Sequence, residues 1–126
     1  MKPTKFNIYL DSSDFDATLT FYRDVLGLAV LAVYEHPHRR GVIFGVNDAV
    51  ELEFFGAPAG QAMPMKPPMP GTVRIKFQVP DVQAEYARLT GAGAPLVEDI
   101  GDRPWGERSF AVQAPDSIVV HIYQSL

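Results

Sequence analysis

The sequence predicts an α+β fold in which one unit, strand–helix–strand–strand–strand, is written twice. Three observations predict it. Phe6-Asn7-Ile8-Tyr9-Leu10-Asp11 leads through Asp14 into a helical run, and Val73-Arg74-Ile75-Lys76-Phe77-Gln78-Val79 leads through Asp81 into another. Both helical runs stop at glycine. Both are followed by short alternating segments, ending in Val50-Glu51-Leu52-Glu53-Phe54 and in Val120-His121-Ile122-Tyr123. Superposing the halves pairs Asn7 with Arg74 and Asp14 with Asp81 at one spacing, and Glu51 with His121 at a spacing a few residues longer. A repeat that cannot bury its own face must pack on its twin, and the seam between twins is where a cavity can form.

Each element has a local reason. Phe6, Ile8 and Leu10 alternate with Asn7, Tyr9 and Asp11, the period of a half-buried strand. Asp11-Ser12-Ser13-Asp14 supplies capping side chains, and Phe15, Leu19, Tyr22 and Leu26 then fall at helical spacing up to Gly27. Strands are expected over 28–34, 40–46 and 49–55, the first two joined at His36-Pro37-His38 and the last two at Asn47-Asp48. Residues 57–71 carry Pro58, Pro64, Pro67, Pro68 and Pro70, so this stretch reads as a linker between module one (5–56) and module two (72–125) of a single domain. Module two repeats the pattern: strand 72–79, helix 81–90 stopped by Gly91-Ala92-Gly93, then strands 95–100, 109–114 and 118–124.

Length and composition bound the function. A chain of 126 residues with 47% apolar and 21% charged residues is an ordinary soluble domain with one core. Without cysteine it has neither disulfides nor thiolate metal sites nor cysteine nucleophiles. No signal peptide or membrane-spanning stretch is visible, so a cytoplasmic protein with no membrane partner is expected. A net charge of −4 argues against nucleic-acid binding and mildly favours neutral or cationic ligands. No phosphate loop, basic patch or serine–histidine–acid set appears.

Alternation also assigns faces. Phe6, Ile8, Leu10, Val50, Leu52, Phe54, Val73, Ile75, Phe77, Val120 and Ile122 should cover the helices. Asn7, Tyr9, Asp11, Glu51, Glu53, Phe55, Arg74, Lys76, Gln78, His121 and Tyr123 should face away. That second face is too polar for a dry core and rich in rings, which suits a groove with mixed charge and stacking platforms. An ordinary wet sheet face is the plain alternative.

Phe21-Tyr22-Arg23-Asp24-Val25-Leu26-Gly27-Leu28 resembles the helix-ending signature of the vicinal oxygen chelate superfamily. Arg103-Pro104-Trp105-Gly106, Phe110-Ala111-Val112 and the turn Ala114-Pro115-Asp116-Ser117 resemble the end of module two in its bleomycin-resistance branch, with Ala114 and Ser117 standing where the family turn has Asp and Gly. The resemblance covers nearly the whole chain. It implies paired βαβββ modules whose sheets form a cupped, incomplete β-barrel, usually completed within a homodimer. The functions it implies run from glyoxalase I-type lyases and extradiol dioxygenases to proteins that bind and sequester drugs.

Metal ligands in that superfamily come from the first and last strands of each module. The matching positions here are Asn7, Glu51, Arg74 and His121. Glu51 and His121 suit a metal, but a neutral amide is a poor ligand for a transition metal and a guanidinium is none. Catalytic sites generally use three protein ligands, so neither a metal nor another cofactor is expected unless a ligand shifts, for instance to Glu53 or Asp11. Arg74 is expected instead to stand in for the cation, held by Glu51. The expected role is therefore to sequester a small aromatic or cationic molecule in the groove between modules. Tyr9, Phe55, Trp105 and Tyr123 would stack on it and Asn7, Glu51, Arg74 and His121 would orient it. The alternatives are a divergent glyoxalase I-type lyase or a metal-free isomerase with Glu51 and His121 as acid and base, and a ligand-binding partner of a biosynthetic cluster. Trp105 serves equally as a dimer contact. Met63, Met65 and Met69 form either a lid or a linker anchor, and His36 and His38 read as a solvated turn.

Overall fold

The computed structural model describes residues 1–62 and 73–126. The chain divides into two compact units, Met1–Pro67 and Pro68–Leu126. Unit one contains strand β1 (Phe6–Asp11), helix α1 (Phe15–Thr20), and strands β2 (Ala29–His36), β3 (Arg39–Asn47) and β4 (Val50–Gly56). Unit two contains β5 (Arg74–Gln78), α2 (Val82–Gly91), β6 (Leu96–Arg103), β7 (Glu107–Gln113) and β8 (Val119–Ser125). Each is the predicted βαβββ unit. The sheets have the orders β1-β4-β3-β2 and β5-β8-β7-β6, with the first pair parallel and the others antiparallel.

The two helices start in the same way. Asp14 and Asp81 have extended backbones, and their carboxylates accept from the N–H groups of Ala17 and Ala84 at 3.1 and 3.0 Å. An acceptor there serves one of the N–H groups that a helix leaves unpaired at its start. Their ends differ. The run expected to continue to Leu26 leaves α-helical geometry at Phe21 and makes a π-type turn over Phe21–Val25, closed by Leu26 N–H donating to the Phe21 carbonyl at 2.9 Å. The wider turn buries two consecutive rings, Phe21 and Tyr22. Gly27 and Gly93 then carry φ of +79° and +82°, the left-handed conformation that the stop signals call for.

In unit one the core gathers Phe15, Tyr22, Val42, Phe44, Leu52 and Phe54; in unit two, Val82, Leu89, Phe110, Val112, Val120 and Ile122. The faces follow the alternation with exceptions. Phe6, expected to cover α1, is exposed at its strand's start. Glu53, on the opposite face, is buried at 4% exposure. Most of β2 is exposed, including Leu31 and Val33.

Register corrects the superposition of the halves. Asn7 stands beside Glu51, whereas the residue beside His121 is Lys76, with Arg74 two positions away along β5. The β6–β7 hairpin also runs further than its Gly, Asp and Pro content suggested. Asp102 pairs with Arg108 and Arg103 with Glu107, so the turn shrinks to 104–106.

The turn before β8 holds Asp116 and Ser117 at φ of 60° and 61°. A side chain in that region costs about 1–2 kcal/mol, a strain glycine avoids. Replacing Ser117 with glycine is expected to stabilise the fold by about 0.5–1 kcal/mol, read from urea denaturation midpoints. A destabilised variant would show that the hydroxyl outweighs the strain.

Candidate ligand-binding site

The residues singled out in the sequence fall into two groups, one in each unit. In unit one, Tyr9 and Phe55 stack with centroids 5.3 Å apart and planes 12° from parallel. The Arg39 guanidinium lies 4.4 Å from the Phe55 ring centre. Glu51 forms an ion pair with Lys5. Asn7 Oδ1 is buried without a hydrogen-bond partner among the described residues. The sequence suggested Arg74 as the partner of Glu51; within its own unit Glu51 is held by this lysine. Glu53 accepts a hydrogen bond from the Tyr34 hydroxyl at 2.9 Å. Burial first, and Glu53 second, push the Tyr34 pKa up to about 12.

In unit two a pocket of about 300 Å³ is lined by Arg74, Lys76, Glu98, Trp105, Glu107, Ser109 and His121. Strand pleating explains the grouping. Arg74 and Lys76 on β5, His121 on β8, and Glu107 and Ser109 on β7 all sit at alternate positions that face away from Phe110, Val120 and Ile122. Lys76 Nζ donates to both carboxylate oxygens of Glu107, at 2.8 and 2.9 Å. That ammonium, with the Trp105 side chain as a second donor, holds the Glu107 carboxyl below the usual range. Trp105 stands in the hairpin turn, 70% exposed.

His121 lines this pocket beside Arg74 and Glu98. Arg74 Nη1 lies 2.9 Å from its Nε2, and since a guanidinium only donates, Nε2 is the acceptor. Burial lowers the imidazole pKa, Arg74 and Lys76 reinforce the shift, and Glu98, 4.0 Å from Nδ1, opposes it. The ring is therefore neutral at pH 7, with its proton on Nδ1.

A metal of the kind the fold family uses does not fit these residues. The Nε2 lone pair of His121 is engaged by Arg74, and Glu51 is engaged by Lys5. Among the described residues no group of three or more His, Asp or Glu side chains could hold an ion.

Of the predicted site residues, Arg74, Trp105 and His121 come together in the pocket. Tyr123 lies beside it, its ring 4.3 Å from Lys76 Nζ and its hydroxyl donating to Gln78 at 3.1 Å. Glu51 and His121, paired in the sequence as acid and base, belong to different units. Glu98, Glu107 and Ser109 escaped the sequence reading. Carrying the alternation of β7 two residues back from Ser109 would have found Glu107. His36 and His38 are exposed at the β2–β3 turn. Met63, Met65 and Met69 lie outside the described residues.

Residues 8–122 match the family model for the Glyoxalase/Bleomycin resistance protein/Dioxygenase superfamily. The chain belongs to that superfamily. Among curated proteins this superfamily member is 28% identical over 121 residues to the uncharacterized YwbC of Bacillus subtilis (strain 168), covering 88% of the chain and 89% of YwbC. Its fold matches the crystal structure of TnmS3, an antibiotic-binding protein from Streptomyces sp. CB03234, with a TM-score of 0.75 at 22% identity over 100% of this chain and 97% of that one. It also matches the trypanothione-dependent glyoxalase I of Leishmania major, with a TM-score of 0.70 at 20% identity over 94% and 84% of the two chains. At such identities the likeness is one of fold: the α+β vicinal oxygen chelate architecture with two open four-stranded sheets. Superfamily members bind small molecules, and among the described residues no helix is long and apolar enough to cross a membrane.

Proposed function

We propose that this superfamily member is a cytoplasmic homodimer that sequesters a small aromatic drug or metabolite without a catalytic metal. The observation that carries the reading is a pocket walled by an exposed tryptophan, in which the one histidine is engaged by arginine and not left open for an ion. A flat ligand stacking on Trp105 would cover apolar surface that water now wets. The engaged Glu51 and His121 side chains also weigh against the acid–base lyase or isomerase. The antibiotic-binding role of TnmS3 agrees in kind.

Trp105 is the only tryptophan of the chain, so its fluorescence reports on this pocket alone. A panel of flat polycyclic drugs should contain compounds that quench it saturably and raise the thermal midpoint in proportion to occupancy. Replacing Trp105 by alanine should weaken their binding, read by calorimetry, by about tenfold. Zinc, nickel and manganese should leave the midpoint unchanged. Stabilisation by a metal and by no organic compound would overturn the proposal. Light scattering at micromolar concentration tests the homodimer.

A further inference from the structure

The lining of the unit-two pocket holds two cations, Arg74 and Lys76, and two carboxylates, Glu98 and Glu107, but they are not paired one to one. Lys76 is held by both oxygens of Glu107. Arg103 donates to Ser109 and to the Asp99 carbonyl, with Glu98 3.9 Å away. Arg74 differs from both. Its recorded partner is the neutral His121, and among the described residues of unit two no carboxylate lies within ion-pair distance of it. Glu107 is thus taken by Lys76, and Glu98 lies near Arg103 and the His121 ring, so Arg74 is the cation of the lining left without an acidic partner in unit two.

A guanidinium stays protonated and carries several donors in a fixed plane, of which the bond to His121 uses one. The remainder match the two oxygens of a carboxylate, which a guanidinium binds side by side. The exposed Trp105 in the same pocket supplies the face on which a ring can lie.

We infer that the ligand of this pocket is an aromatic anion, its ring stacked on Trp105 and its carboxylate held by Arg74. This rests on the aromatic-binding reading above and deepens it. It runs against the preference for cations suggested by the net charge of −4. That preference averages over the whole surface, whereas salt screens charges beyond about 8–10 Å, so a guanidinium without an acidic partner at the site decides.

Three flat probes of one shape separate the possibilities: anthraquinone-2-carboxylate, its carboxamide, and the 2-aminomethyl compound, titrated calorimetrically at pH 7.5. The carboxylate should bind the wild-type chain about tenfold more tightly than the carboxamide. Arg74→Gln should collapse that ratio to near one, and Arg74→Lys should restore part of it. Equal binding of carboxylate and carboxamide, or tightest binding of the aminomethyl compound, would overturn the anion inference while leaving an aromatic-binding pocket in place. Preserved carboxylate selectivity in Arg74→Gln would also overturn it. If none of the three binds, both the inference and the reading beneath it fail.

Discussion

Replacing Phe54 by alanine is expected to cost unit one about 3–5 kcal/mol, the range for deleting a buried aromatic ring. Phe54 is 1% exposed, with its ring 4.5 Å from that of Tyr22 and 6.3 Å from that of Phe44. Such packed interiors relax only partly around a void, so lost contacts add to lost burial. Phe55→Ala is the matched control. The neighbouring ring lies on the other side of β4, against Tyr9 and Arg39, and its loss should cost clearly less. Urea denaturation with an unchanged slope would measure both. A Phe54→Ala penalty no larger than that of Phe55→Ala would show that the two faces of β4 are assigned the wrong way round.

The second large effect is expected at Tyr34. Glu53 is a carboxylate at 4% exposure whose recorded hydrogen bond comes from the Tyr34 hydroxyl. With a pKa near 12 that hydroxyl stays protonated and keeps donating throughout the usable pH range. The ring is placed by a glycine: Tyr34 lies across from Gly41 on β3, where any Cβ would collide with it. Tyr34→Phe removes one oxygen and should cost about 1.5–3 kcal/mol, the scale of a hydrogen bond to a charged acceptor. The double variant Tyr34→Phe/Glu53→Leu should regain much of the loss, because removing both partners leaves no orphaned group. A single-variant penalty below about 0.5 kcal/mol, the ordinary scatter of surface changes, would mean that Glu53 finds another donor.

Where side chains act on their own backbone, the sequence was readable. Asp14 and Asp81 announce their helices because an acceptor ahead of an apolar run has one obvious use, and Gly27 and Gly93 end them because few other residues adopt positive φ. The strands of both sheets were legible from alternation to within a few residues. What failed depends on contacts between distant segments. The π-turn at Phe21 arises from burying two adjacent rings, which a periodic pattern cannot express. The long β6–β7 hairpin is held by charged cross-strand neighbours such as Asp102 and Arg108, residues that resemble a loop when read singly. The site was half legible for the same reason. Face assignment brought Arg74 and His121 to one surface, but their direct contact and the Lys76–Glu107 clamp follow from a register that spacing alone set two residues off.

That register has a consequence in time. Arg74 and His121 are 47 residues apart, on strands that pair in parallel. The β6–β7–β8 meander can form from neighbours in sequence, whereas β5 must wait for β8 before it has any edge to join. As unit two emerges during synthesis, Arg74 and Lys76 appear first and are seated last. Any nascent chain stopped short of β8 carries the cations and the tryptophan without the strand that arranges them, so the pocket takes shape only with the last strand of the unit.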